Sequence, residues 1–134
     1  SSETKIVNRM SQDLLVVDDE EIVTDIISEF LTASGKILNI DRAANGKEAL
    51  KKCVEKKYST IFVDFRMPIM SGGEFVKIIR ETACLNQATP IIFITANEEE
   101  AEPYAVKYPG IVLITKPVQL KKLISAFEFV NEEE

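Results

Sequence analysis

The sequence predicts an α/β fold, a doubly wound parallel sheet of five strands with helices on both faces. Three observations carry this. Short apolar runs alternate five times with amphipathic segments of helical period, and that alternation builds a parallel sheet joined by crossover helices. The runs LLVV, TIFV, PIIFI and IVLI are continuous rather than alternating, as strands covered on both faces should be. At 134 residues, the chain suits one domain and is long enough to bury a core without disulfide or metal staples.

The elements follow in order. Residues Ser1 to Gln12 are polar and aperiodic and read as a flexible lead-in (1–12). Leu14–Val17 is the first strand. Glu20 to Thr32 carries Ile22, Ile26, Ile27, Phe30 and Leu31 at helical spacing, with Gly35 as its stop. Ile37–Ala43 is a second strand, weakened by Asn39, Asp41 and Arg42. Gly46 to Lys57 brings Ala49, Leu50, Cys53 and Val54 onto one helical face. Thr60–Val63 is a buried strand. Gly73 to Ala83 offers Phe75, Val76, Ile78 and Ile79 for a third helix. Pro90–Ile94 and Ile111–Ile114 are the last strands, and Leu120, Leu123, Ile124, Phe127 and Val130 mark the final helix. Between them, Asn97 to Pro109 holds Pro103, which suits a first helical turn and breaks an interior. A short helix starting near Pro103, or a bent one, is expected there. The folded domain should span 13–131 and leave an acidic tail, 132–134. The opening Ser1-Ser2 and the closing Glu132-Glu133-Glu134 both read as cut ends of a longer protein.

Composition removes several function classes. Net charge is −6 and no basic cluster occurs, which argues against nucleic-acid binding by this domain. Apolar runs are too short to span a membrane. Cys53 and Cys84 lie far apart, neither in a CxxC, and there is no histidine. A zinc site and the Ser–His and Cys–His nucleophile systems are thereby excluded, and two reduced thiols in a cytoplasmic protein are expected.

Open parallel sheets bind ligands outside the carboxyl ends of their strands. There the chain places Asp18 and Asp19, then Asp64, then Thr95, then Thr115, Lys116 and Pro117. Singly, each has an ordinary role: Asp18 a helix cap, Thr95 a structural hydroxyl, Lys116 a solvated loop residue. Together they make a chemical set. Crowded carboxylates suit a hard divalent cation such as Mg²⁺. Asp64, central in the sheet, could attack phosphorus and form an acyl phosphate. Lys116 and a hydroxyl could then hold the phosphoryl oxygens. Glu20 and Glu21 would begin the first helix, where negative charge is favourable. No Gly-rich phosphate loop is present.

The segments VVDDEE, FVDFRMPIMSGGEF, FITA and TKP resemble the motif series of response-regulator receiver domains, the phosphoaspartate modules of two-component signalling. The resemblance runs from about Asp13 to Val130. It implies a five-stranded flavodoxin-like sheet of order 2-1-3-4-5, with Asp64 as phosphoacceptor. Asp19 and Asp64 would give carboxylate oxygens to Mg²⁺ or Mn²⁺, with Asp18 close by and the backbone carbonyl of Arg66 completing the protein ligands. Thr95 would be the switch hydroxyl and Lys116 the paired cation, followed by Pro117, often through a cis bond. The implied partners are a histidine kinase or histidine phosphotransfer protein, an output domain or attached kinase in a longer chain, and a second copy on phosphorylation.

Some positions depart from that pattern. Leu113 stands where the family often has Tyr or Phe, so aromatic-rotamer coupling is not available; either Leu113 merely packs or the output surface is atypical. Arg66 and Asn97 flank the route of an attacking water, and Arg66 would either shield the acyl phosphate or stay solvated. Three other functions compete with this reading: a degenerate receiver acting as a scaffold, an aspartate-nucleophile phosphatase of the haloacid-dehalogenase type, and a flavin-binding module. The phosphatase would want its nucleophile in DxDx[TV] after the first strand. The flavin module would want a hydroxyl- and Gly-rich loop there. The scaffold reading is opposed by the complete motif set.

Overall fold

A computed structural model describes residues 12–36 and 38–132. The expected lead-in before Gln12, Ile37 at the start of the second strand, and the tail beyond Glu132 lie outside the described residues. The elements run β1 (Gln12–Val17), α1 (Glu21–Thr32), β2 (Leu38–Ala43), α2 (Gly46–Glu55), β3 (Thr60–Asp64), α3 (Gly72–Glu81), β4 (Ile91–Thr95), α4 (Glu98–Lys107), β5 (Ile111–Thr115) and α5 (Leu120–Val130). All pairings are parallel and the order is β2-β1-β3-β4-β5. The expected architecture and strand order are both present. Gln12 opens β1 rather than closing a lead-in.

Successive side chains of a strand face opposite sides, so the sheet divides the core in two. Leu15, Val17, Ile61, Val63, Ile91 and Phe93 pack on one side with Ala49, Cys53, Phe75, Val76 and Ile79 from α2 and α3 and Ala101 from α4. Leu14, Val16, Phe62, Ile92 and Ile94 pack on the other with Ile27 and Leu31 from α1 and Leu123 and Phe127 from α5. Each such large side chain stabilises the fold by roughly 1.5–3 kcal/mol relative to exposure.

The helical faces are narrower than their apolar residues suggest. In α1 the buried positions are Thr24, Ile27 and Leu31. Ile22 falls nearly opposite them on the helix and is exposed. Val54 of α2 and, more marginally, Ile26, Ile78 and Leu120 are exposed as well. Periodicity shows which residues are apolar but not how wide a stripe the sheet covers.

The fourth helix corrects its expected start. It begins at Glu98, and Pro103 lies inside it. The Asn97 side chain accepts the Glu99 amide at 3.0 Å, and three glutamates fill a first turn where the dipole favours them. Pro103 withdraws the donor that the Glu99 carbonyl would have received. Glu99 and Pro103 are both exposed, so water can serve that carbonyl. Tyr104 anchors the helix, its ring 5.5 Å from Phe65 and 6.1 Å from Phe93. Both cysteines are free, and burial, with Cys84 nearby, pushes the Cys53 thiol up to about 12. It is a packed core residue rather than a reactive thiol.

Candidate functional site

Strand pairing assembles the site. Val17 lies opposite Val63, so Asp18 leaves β1 beside Asp64, and both are almost fully buried. The Asp18 amide donates to the Ala43 carbonyl at 3.0 Å. Its carboxylate Oδ1 accepts from the Glu20 amide at 2.8 Å. Lys116 arrives from the end of β5, its amide bonded to the Thr95 carbonyl at 2.8 Å, and the Lys116–Pro117 peptide is cis. The Lys116 ammonium stands 3.3 Å from both Asp18 Oδ2 and Asp64 Oδ2, and 3.8 Å from Glu20 Oε1. One cation is thus shared by three acids.

That arithmetic shows in the acidities. Burial, then the charge of Asp18, pushes Asp64 up to about 6, although Lys116 and the Phe65 amide pull the other way. Burial also raises Asp18, against the Glu20 amide and Lys116. Burial pulls Lys116 down, but Asp64 and Asp18 together hold it above the ordinary lysine range. The carboxylates remain undercompensated, as a site built for a further cation would be.

The acids beside Lys116 fit such an ion. Asp18, Asp19 and Glu20 each offer a carboxylate oxygen, all within 4.8 Å of one another. This all-oxygen set suits Mg²⁺. Glu20 was expected only at a helix start. It does sit at the N-cap of α1, yet its side chain makes no cap bond, which leaves the carboxylate to join the cluster. The run of four acids in the sequence was the available signal. A cleft of about 320 Å³ continues from Asp18 and Asp19 past Thr24, Arg42 and Glu48.

The other expected residues lie around this centre. Ile94 pairs with Asp64, which brings Thr95 to the same edge. Its buried hydroxyl accepts the Asn97 amide at 3.1 Å and donates to the Asn97 carbonyl at 3.3 Å, so it is engaged by its own loop rather than by Asp64. The Arg66 side chain turns to Glu100 of α4 in a forked ion pair. Leu113 packs, partly buried, against the core beneath α2, α3 and α4. Gly72 is required where it stands: a Cβ there would meet the Asp64 carbonyl oxygen at 2.1 Å. Only a glycine lets α3 begin against the backbone of Asp64, where its amide donates to the Phe65 carbonyl at 2.7 Å.

Comparison with known proteins identifies this arrangement. Residues 14–128 match the response regulator receiver domain family, and the chain belongs to it. It is therefore a receiver domain of two-component signalling, a regulatory domain rather than an enzyme in the usual sense. It is 32% identical over 120 residues to the hybrid signal transduction histidine kinase G of Dictyostelium discoideum, a match covering 89% of this chain and 4% of the kinase. The chain spans about a third or less of the curated relatives it matches. Chemotaxis response regulator CheY4 of Vibrio cholerae superposes with a TM-score of 0.76 at 30% identity, covering 90% of this chain and 98% of that one. Response regulator TrrA of Thermotoga maritima, solved in complex with Mg²⁺-BeF, gives 0.76 at 28% identity over 89% and 98%. No helix among the described residues is long and apolar enough to cross a membrane.

Proposed function

We propose that this domain accepts a phosphoryl group on Asp64. The observation that supports this most is the Lys116 ammonium held between the carboxylates of Asp18 and Asp64 at equal distance. An Asp64 oxygen attacks phosphorus, the bond from phosphorus to the donor's leaving atom breaks, and the donor departs with that electron pair. Lys116 is already in place to neutralise a phosphoryl oxygen. Thr95 exchanges its bonds to Asn97 for one to the phosphoryl group, which gives the switch its two states. Asp18, Asp19 and Glu20 would hold Mg²⁺ or Mn²⁺, with Asp64 and the Arg66 carbonyl as the further ligands the family pattern suggests. When bound, the ion supplies charge neutralisation at phosphorus.

The donor in this reading is a histidine kinase or histidine phosphotransfer protein, with acetyl phosphate as a small substitute. The setting is cytoplasmic. An output domain, a kinase elsewhere in a longer chain, or a second copy of this domain receives the signal. Intact-mass spectrometry after incubation with acetyl phosphate and Mg²⁺ tests this. One phosphoryl adduct is expected, absent from Asp64→Asn and from a metal-free control. No adduct, together with no binding of beryllofluoride, would instead indicate a scaffold that works without phosphorylation.

A further inference from the structure

Helix α4 is tied at its first turn to the end of β5 and to the loop that follows β3. On one side the Thr115 hydroxyl donates to Glu98 Oε1 at 2.6 Å. On the other, Arg66 Nε donates to both Glu100 oxygens at 2.8 and 2.9 Å, and Nη2 closes the fork on Oε1. Farther along, Tyr104 is held against Phe65 and Phe93. A change at Glu100 therefore removes one of the two ties on the first turn and leaves the rest anchored.

Arg66 follows Asp64 by two residues, a backbone span of at most about 7 Å. The same guanidinium can reach Glu100 or a group carried on Asp64, but not pair fully with both. A phosphoryl group carries more charge and more acceptor oxygens than a carboxylate, so it competes well for arginine. The existing pair is open to exchange, because the Arg66 side chain is 79% exposed and solvent screens its attraction to Glu100.

We propose that Glu100 is a positioning residue. It parks Arg66 on α4 while Asp64 is bare and yields it to the phosphoryl group, so that loading the site loosens the first turn of α4. This rests on Asp64 being the phosphoacceptor. Arg66 then carries the state of Asp64 to the helix as an exchange of ion-pair partner. It also covers the acyl phosphate once it has moved.

Four proteins test this: wild type, Glu100→Gln, Arg66→Ala and the double variant. Hydrogen exchange over residues 98–102 is followed with and without beryllofluoride and Mg²⁺, and adduct decay is timed after loading with acetyl phosphate. Beryllofluoride should speed exchange in the wild type. In Glu100→Gln exchange should already be fast, and the adduct should last longer by about threefold, the scale of one exposed ion pair. Arg66→Ala should shorten the lifetime, and adding Glu100→Gln to it should change nothing more. Loading that leaves wild-type exchange unaltered overturns the proposal. So does a Glu100→Gln variant that behaves as wild type, or one whose lifetime effect persists without Arg66, since Glu100 would then act through the fold alone. Absence of both adduct and beryllofluoride binding in the wild type overturns the phosphoacceptor reading, and the exchange with it.

Discussion

Asp64 carries its charge at neutral pH against the preference of its surroundings. Its folded value of about 6 lies above the ordinary 3.8, so the fold binds that proton more tightly than the unfolded chain does. The linked stability is fully present below about pH 4 and is lost as pH rises through 6. Asp64→Asn is therefore expected to stabilise the metal-free protein at pH 7.5, by about 3 kcal/mol at most. The gain should shrink towards pH 4.5, as read by urea denaturation in chelator; a pH-independent gain would contradict the cause. Ile69 shows a second local cost. It sits at φ 70 between Pro68 and Met70, whose carbonyl and amide close a tight turn at 2.7 Å. A β-branched residue is strained there, and with 76% of its surface exposed it recovers little by packing. Ile69→Gly should raise stability by about 1 kcal/mol, visible as a higher melting temperature; an unchanged or lower one would show that the turn is not strained.

At the scale of elements, one buried arginine ties α3 to two loops beside the sheet, in addition to its apolar packing. Arg80 donates to the carbonyls of Gln87 at 2.9 Å, Thr89 at 2.7 Å, Pro109 at 3.2 Å and Gly110 at 3.5 Å. It thus pins the loops that enter β4 and β5. Asn86, fully buried, links the same loop to α2 by donating to the Cys53 and Lys56 carbonyls, each at 2.8 Å. Arg80→Met should cost about 3 kcal/mol, because the buried Thr89 carbonyl and three half-buried ones lose a charged donor. Arg80→Lys should recover only part, since an ammonium cannot fork in a plane; full recovery in chemical denaturation would argue for charge alone. Neither residue was legible in the sequence. An arginine in the last turn of an amphipathic helix reads as solvated, and Asn86 lies in a polar loop. The strands and their terminal acids were legible because continuous apolar runs and abrupt charge are local signals. The start of α4 was not, since a proline weighs heavily in local reasoning. What offsets it is Tyr104 meeting Phe65 from far along the chain.

Over the whole molecule, alternation of strands and helices was enough for a parallel sheet, whereas the order of strands came only with the family resemblance. Crossovers of equal length permit several orders. The cluster of Asp18, Asp64 and Lys116 depends on that order, because β1 and β3 must be neighbours. The same sheet also partitions the interior. Side chains of its two faces belong to separate clusters, with only backbone between them. Stability should therefore behave as two nearly independent sums. Ile79→Val on one side and Ile27→Val on the other should each cost about 1 kcal/mol. Their combination should equal the sum within about 0.5 kcal/mol. Ile79→Val with Val76→Ala, which share one side, should depart from additivity. A large coupling across the sheet would mean that its backbone yields under side-chain load. Near-zero coupling would make each face a separate compartment, open to redesign without recalculating the other.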